Sequence, residues 1–278
     1  ANAYPHKAPP IALASFVLNI FEEFYKINLI NRGYHMENSV IVITGGHGGI
    51  GRVVVYNLLK NGAKVIVLDK NETTSTKIKE NENYTFIKTD VTKLEDLQYA
   101  HKLIQEKYGH INYLISMAGI NMKSEVDGIK GITFSDIDKS IKLNLTAHIY
   151  LIKVMLDLVE KSRAKDKRAI LMISSINAIT GYGLPAYSAA KSGIYGFMKS
   201  ILNELGKSSI RVNTISLGTV PHMDQEVEGD EYFEHYIKHL AIKHFVRPTD
   251  VYDTIYSLLE ISKCINGQNI VLDMGQSV

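Results

Sequence analysis

The sequence has a single cysteine, Cys264, and no tryptophan in 278 residues. One cysteine excludes an intramolecular disulfide and gives no support for an oxidising compartment. Lysine and arginine number 31 against 29 aspartate and glutamate, so the formal net charge is only +2. This balance gives no electrostatic case for a nucleic-acid partner, which would need a clustered basic face. Since no run of about 18 apolar residues occurs, we expect a cytoplasmic protein without a transmembrane span.

Residues 1–37 differ from the rest of the chain. Apolar residues recur there at helical spacing, as at Leu13, Phe16, Val17 and Ile20. We expect an N-terminal helical extension that packs on its own domain or on a partner subunit. A fusion remnant and a membrane-surface anchor are the alternatives.

Residues 38–278 alternate short apolar runs with helical patterns at the spacing of βαβ units. The predicted strands cover residues 40–43, 65–68, 85–87, 113–116, 170–173, 211–215 and 270–272. The predicted helices cover residues 50–61, 94–108, 135–160, 188–207 and 250–262, the third capped by Ser135 with Asp138. The pattern predicts a single α/β domain with a doubly wound parallel sheet, the Rossmann fold.

A glycine-rich segment follows the first predicted strand and opens the first predicted helix. Glycines let the chain turn tightly, let the backbone approach a pyrophosphate and leave helix N–H groups free to bind the anion. A simple turn is the alternative, but the strand before and the helix after it favour a dinucleotide site. The candidate residues are Thr44, Gly45, His47, Gly49, Ile50 and Gly51.

Asp69 ends the second predicted strand, 18 residues after Gly51. A carboxylate at this position can accept hydrogen bonds from the adenosine ribose and would repel a 2′-phosphate. The neighbouring Lys70 weakens that discrimination, and a strand-end turn residue is the alternative interpretation. We therefore expect NAD rather than NADP as the cofactor.

Tyr187 and Lys191 lie four residues apart, which places them on one face of a helix. The same spacing occurs by chance, as we interpret it, at Tyr56/Lys60, Tyr84/Lys88 and Tyr195/Lys199. Context distinguishes the pair at Tyr187, because small residues separate its members. Ser174 also lies 13 residues upstream, at the carboxyl end of a predicted strand, where sheets of this kind bind ligands.

These motifs resemble the short-chain dehydrogenase/reductase family over about residues 38–278. The matching positions are Thr44 to Gly51, Asp69, Asp90-Val91, Ala118-Gly119, Asn144, Ser174, Tyr187 with Lys191, Arg211 to Asn213, Gly267-Gln268 and Asp273 to Gly275. The resemblance implies an NAD(H)-dependent oxidoreductase. It would move a hydride between the nicotinamide ring and a secondary alcohol or ketone of a small organic substrate.

The resemblance also implies a role for each reacting side chain. Tyr187 would be the general acid/base, and Lys191 would lower its pKa and hold the nicotinamide ribose. Ser174 would hydrogen-bond the reacting oxygen. Asn144 would hold a water that links Lys191 to solvent, with capping of a local helix kink as its alternative role.

The implied cofactor contacts are Asp90 and Val91 at the adenine, Ala118 and Gly119 at the ribose, and Thr219 and Val220 at the carboxamide. Two segments depart from the family pattern: Ser116-Met117 stands where Asn-Asn is usual, and Leu217 where proline is usual. Neither departure removes a reacting group.

The candidate substrate pocket mixes polar and apolar residues and does not name the substrate. Besides Ser174 and Tyr187 it includes Asn121, Ile176, Asn177, Tyr182, Leu184, Thr219, His222 and Met223. His235 and His239 have a spacing that can bind a metal on a helix, but the sequence offers no strong third ligand. We interpret this segment as a solvated lid and expect no metal.

Two other functions remain as alternatives. One is a cofactor-binding sensor or scaffold without turnover, and the other is a sugar-modifying activity of the epimerase or dehydratase type. An apolar stripe on the third predicted helix also predicts a homodimer or homotetramer. Its members are Ile137, Ile141, Leu145, Ile149, Ile152, Leu156 and Val159.

Overall fold

A computed structural model describes residues 36–221 and 237–278 of the chain. The chain divides into two compact units at Met36. The predicted helical extension falls almost entirely on residues 1–35, outside the described residues. His222, Met223 and His235 of the predicted pocket and lid also lie outside them.

Seven short strands form one parallel sheet in the order β3-β2-β1-β4-β5-β6-β7. They are β1 Val40–Thr44, β2 Lys64–Asp69, β3 Tyr84–Lys88, β4 Tyr113–Ser116, β5 Ala169–Ser175, β6 Arg211–Leu217 and β7 Asn269–Leu272. β1, β4 and β5 are buried along their whole length, which explains their runs of apolar residues. The strand order reverses between β1 and β4, so the doubly wound sheet is confirmed.

Helices cover both faces of the sheet. Those whose bounds lie within the described residues are α1 Gly49–Lys60, α2 Thr76–Lys79, α3 Leu94–Tyr108, α4 Gly128–Gly131, α5 Phe134–Ile141, α6 Ala147–Glu160, α7 Asn177–Thr180, α8 Pro185–Lys207 and α9 Pro248–Tyr256. One apolar core joins α1 and α9 to one face, and a second joins α3, α6 and α8 to the other. No helix in these two stretches is both long and apolar enough to cross a membrane.

Three helix boundaries differ from the prediction. The predicted helix 135–160 contains a π turn, Lys142–Thr146, and its cap is Thr133, whose side chain accepts from the backbone of Asp136. The helix predicted to begin at residue 188 begins at Pro185, because proline is well suited to the first helical position. The helix predicted to end at residue 262 is regular only to Tyr256 and then closes in a π turn, Ser257–Ile261.

Candidate active site

The glycine-rich turn is packed so closely that side chains would not fit. Gly45 has φ +66°, and a Cβ on it would lie 2.9 Å from the Cα of Ala118. A Cβ on Gly51 would lie 2.1 Å from the carbonyl oxygen of Gly45. α1 begins immediately after Gly48, at Gly49 and Ile50, and has neither a side-chain cap nor an acidic residue in its first turn. The turn therefore presents helix N–H groups beside a bare glycine backbone, the arrangement that binds phosphate.

Thr44 joins this turn to the neighbouring strand. Its buried hydroxyl oxygen accepts hydrogen bonds from the backbone N–H groups of Met117 and Ala118 at 3.0 and 3.2 Å. The carboxyl ends of β1 and β4 are thereby tied together at the point where the strand order reverses, the place where such sheets bind ligands.

Asp69 lies at the end of β2 and faces the same turn. Its carboxylate accepts from the backbone N–H of His47 at 3.2 Å and from that of Asn71 at 3.4 Å. The imidazole of His47 contacts the hydroxyl of Tyr84 at 2.9 Å and packs 5.3 Å from the ring of Phe86. The turn and the carboxylate are thus held in one arrangement.

Lys70 is paired with Asp90. Its ammonium lies 3.2 Å from the Asp90 carboxylate, which also accepts from the hydroxyl of Thr92 at 2.7 Å. The adjacent Val91 is buried and lines a small cavity with Thr44 and Ala118. Val91 therefore lies close to the end of β1 and to the glycine turn, while the contact of Asp90 and Val91 with an adenine stays a prediction.

Gly119 connects the glycine turn to the reacting groups. A Cβ on Gly119 would lie 2.8 Å from the side-chain oxygen of Asn144 and 3.1 Å from the ammonium nitrogen of Lys191. Since Ala118 lies against Gly45, this short segment lies between the glycine turn on one side and Lys191 on the other.

Asn144 lies in the π turn between α5 and α6. Its amide oxygen accepts from the backbone of Ile120 at 3.0 Å, and its amide nitrogen donates to the carbonyl of Ile120 at 2.9 Å and to Ser140. The side chain therefore ties an irregular helix to the segment after β4. This is the local kink proposed as its alternative role, and it lies beside Lys191, so the two roles are compatible.

Tyr187 and Lys191 occupy one face of α8, as predicted. The ammonium nitrogen lies 5.6 Å from the centre of the Tyr187 ring and donates to the carbonyl of Ile173 at 2.9 Å. Burial lowers the pKa of Lys191 to about 7. Burial also raises the pKa of Tyr187, a hydrogen bond with Ser175 lowers it, and the charge of Glu125 raises it further.

The pKa of Tyr187 thus differs from the expectation that Lys191 lowers it. The physical reason is that both groups are desolvated, so the charged form of each is disfavoured. In the protein alone, the ammonium and amine forms of Lys191 are both populated near neutral pH.

The hydroxyl beside Tyr187 belongs to Ser175 and not, as expected, to Ser174. The Ser174 hydroxyl is buried and donates to the backbone carbonyl of Lys191 at 3.0 Å. Successive side chains of a strand point to opposite faces, so a shift of one residue exchanges the helix-facing and site-facing positions. Ser175 also donates to the side chain of Asn177 at 3.0 Å, and Asn177 in turn donates to the carbonyl of Tyr182. Alternation along β5 is the signal that could have directed attention to Ser175.

Thr219 and Val220 follow the carboxyl end of β6. The backbone N–H of Thr219 donates at 2.8 Å to the side-chain oxygen of Gln276, whose amide nitrogen donates to the Thr219 hydroxyl at 3.0 Å. Val220 is largely buried in the core. Sequence reasoning missed Gln276, since no local pattern connects residues 57 positions apart.

Ser116 and His148 form a buried pair beneath the site. The Ser116 hydroxyl contacts Nδ1 of His148 at 2.7 Å. Burial holds the pKa of His148 well below 6.5, so the imidazole is neutral at physiological pH. This pair supports the end of β4, where the sequence departs from the family pattern.

The family model described as short chain dehydrogenase matches residues 39–231. The chain belongs to the short-chain dehydrogenase family. The 3-oxoacyl-[acyl-carrier-protein] reductase of Mus musculus is 28% identical to it over 86% of this chain and 98% of that protein.

Solved structures share the fold of this short-chain dehydrogenase. One is a short chain dehydrogenase from Leptospira borgpetersenii with bound NAD⁺, with a TM-score of 0.79 and 23% identity over 88% of this chain and 94% of that one. Another is the Pseudomonas aeruginosa RhlG/NADP active-site complex, with a TM-score of 0.81 and 20% identity over 88% and 98%.

Membership of the family establishes the general chemistry. Short-chain dehydrogenases are oxidoreductases that act on ketone or alcohol groups of small molecules with a nicotinamide cofactor. Experiments on that chemistry in this chain can start from four features: the glycine turn, Asp69, Tyr187 and Lys191.

Proposed function

We propose that this short-chain dehydrogenase uses NAD(H) to interconvert a secondary alcohol and a ketone on a small organic substrate. The observation that carries the proposal is the meeting of the Tyr187 phenol, the Ser175 hydroxyl and Lys191 at the carboxyl end of β5. The segment Ala118-Gly119 connects this group to the glycine turn. A reacting oxygen and a dinucleotide can thus be held side by side.

A dinucleotide fits the residues around the turn. Gly45 and Gly51 pack against the protein's own backbone, which fixes the shape of the turn. The N-terminus of α1 has no side-chain cap, so its free N–H groups can bind a pyrophosphate. Thr44, His47, Gly49 and Ile50 belong to the turn, and Thr219 and Val220, which follow β6, would meet the nicotinamide carboxamide. When bound, the nicotinamide ring supplies or accepts the hydride.

The protein's own groups move the proton and fix the substrate. Tyr187 Oη gives a proton to the carbonyl oxygen during reduction and takes it from the hydroxyl during oxidation. The Ser175 hydroxyl turns from Asn177 Oδ1, to which it donates at 3.0 Å, and donates to the same oxygen, the role that the sequence had suggested for Ser174. Lys191 holds the ribose and, when protonated, stabilises the Tyr187 phenolate.

Asp69 supports NAD over NADP. Its carboxylate would accept the ribose hydroxyls and would repel a 2′-phosphate. Lys70 does not cancel this effect, since Asp90 holds its ammonium at 3.2 Å.

We also propose a homodimer or homotetramer in the cytoplasm, the location resting on the cysteine-poor composition. Four members of the apolar stripe, Leu145, Ile152, Leu156 and Val159, pack in the core of this domain, so only the half-buried Ile137, Ile141 and Ile149 support the proposed assembly. A strictly monomeric species in light scattering would refute the proposed assembly.

The test is a panel of ketones and secondary alcohols in which absorbance of the reduced cofactor is followed in both directions. We expect turnover with NADH that Tyr187→Phe abolishes. Tyr195→Phe is the matched control, because Lys199 lies 5.3 Å over the Tyr195 ring on the same helix, at the same spacing. Binding of NADH without turnover of any compound, and no effect of Tyr187→Phe, would favour a sensor or scaffold.

A further inference from the structure

A buried carboxylate lies behind the proposed acid/base tyrosine. Glu125 belongs to a 3-10 turn, Lys123–Asp127, and its side chain has no exposed surface. One oxygen, Oε2, accepts from the backbone N–H of Tyr187 at 2.9 Å. The other oxygen, Oε1, has no hydrogen-bond partner among the described residues. Burying a carboxylate in this state is unfavourable, so a compensating role is expected.

The start of α8 explains why a carboxylate can lie there. Leu184, the residue before the helix, offers no side-chain cap, and Pro185 occupies the first turn. Glu125 therefore caps the helix from 62 residues away in the chain. The positive end of the helix dipole stabilises a negative charge at this point.

Groups from three elements surround Tyr187. Glu125 of the 3-10 turn contacts its backbone N–H, the Ser175 hydroxyl at the end of β5 hydrogen-bonds its phenol, and Lys191 of α8 lies over its ring. His148 of α6 faces Lys191 and is kept neutral by burial. The two charges that can act on the phenol thus oppose each other, and the charge of Glu125 adds to burial in raising the pKa of Tyr187.

We propose that Glu125 is a positioning residue that fixes Tyr187 at the start of α8 and places a negative charge against its phenolate form, which suits the site to carbonyl reduction. This inference rests on the proposed acid/base role of Tyr187. In that direction a hydride from NADH forms the new C–H bond, and the carbonyl oxygen takes the Tyr187 proton. The phenolate left behind recovers a proton from solvent.

Glu125→Gln tests the charge while retaining an oxygen that can accept from the Tyr187 N–H. Ketone reduction needs the phenol and alcohol oxidation needs the phenolate. Both pH–rate profiles of kcat/KM should therefore move to lower pH, by about one unit for the loss of one nearby charge. Glu204→Gln, which removes an exposed charge from the same helix, should leave both profiles in place.

A second readout does not depend on turnover. Tyrosine labelled with ¹³C at Cζ reports phenol ionisation by NMR, and the Tyr187 signal is the one missing in Tyr187→Phe. It should ionise at lower pH in Glu125→Gln than in the wild type. Profiles and ¹³C titration that coincide with the wild type would overturn the inference, even if Tyr187→Phe abolishes turnover.

The two proposals can fail separately. A wild-type protein without turnover would count against the proposed function, while the ¹³C titration would still decide the role of Glu125. If Glu125→Gln does not fold, Glu125→Asp withdraws the carboxylate by one methylene. A smaller shift in the same direction supports the inference, and no shift opposes it.

Discussion

Ser174 and Ser175 are adjacent in the chain but have different surroundings, so replacing each by alanine separates catalysis from stability. The Ser174 hydroxyl is turned towards α8, where it donates to the Lys191 carbonyl at 3.0 Å. The Ser175 hydroxyl interacts with the Tyr187 phenol and accepts from the backbone N–H of Asn177 at 3.2 Å. Only the second hydroxyl is directed at the proposed site of reaction.

Ser175→Ala should reduce kcat strongly. Removing one hydrogen-bond donor to a reacting oxygen typically lowers kcat by about 10²–10³-fold. The change also deletes the one hydrogen bond that lowers the pKa of Tyr187, so the oxidation profile should move to higher pH. The unpaired N–H of Asn177 should cost about 1 kcal/mol of stability, too little to unfold the protein.

Ser174→Ala should show the opposite balance. It removes a buried hydrogen bond to a helix carbonyl and should lower the free energy of unfolding by about 1–2 kcal/mol. Since no reacting side chain loses a partner, kcat should stay within about threefold of the wild type.

The assay combines steady-state kinetics in both directions with urea unfolding and an NADH fluorescence titration. The titration checks that each variant retains its cofactor site. The reasoning is refuted if Ser174→Ala is the variant that loses turnover while Ser175→Ala remains active. Equal losses in the two variants would also refute it, since the faces of β5 would then not matter.

Three further predictions follow from the same geometry. Asp69→Ala should weaken the binding of NADH about tenfold, the value of a charge-assisted hydrogen bond, and should change the binding of NADPH little. Equal affinities of the wild type for NADH and NADPH by titration would contradict this. Gly119→Ala should lower kcat and reduce the free energy of unfolding in urea by about 1–3 kcal/mol, because its Cβ would meet Asn144 and Lys191. Gly196→Ala in α8 is the control and should be neutral or stabilising, because a Cβ there would meet open space. Lys191→Met should abolish a pH dependence of stability. The pKa of Lys191 is about 7 in the folded protein and about 10.4 in the unfolded chain. Between these two pH values the unfolded wild type binds one more proton than the folded protein. Its free energy of unfolding should therefore rise there by about 1.4 kcal/mol per pH unit, and the variant should lack this rise. Parallel curves for wild type and variant would count against a buried, proton-poor lysine.

Local patterns were sufficient for the fold and for part of the candidate site. The short apolar runs between helical stretches predict the seven strands and their parallel direction, because strands buried on both faces must be apolar. The sequence also predicted the glycine turn and the Tyr187/Lys191 pair, since each depends on the spacing of a few neighbouring residues. Asp69 was located by its position after a strand.

Tertiary structure decided what those patterns left open. A shift of one residue at the end of β5 exchanges Ser174 for Ser175, and only the packing of α8 against the strand fixes which face each occupies. Glu125 and Gln276 reach the site from distant parts of the chain, so no local pattern marks them. The pKa of Tyr187 likewise depends on desolvation by elements that meet only in the folded protein. Sequence determined the parts that short-range geometry controls, and the fold determined the hydrogen bonds and charges that act across space.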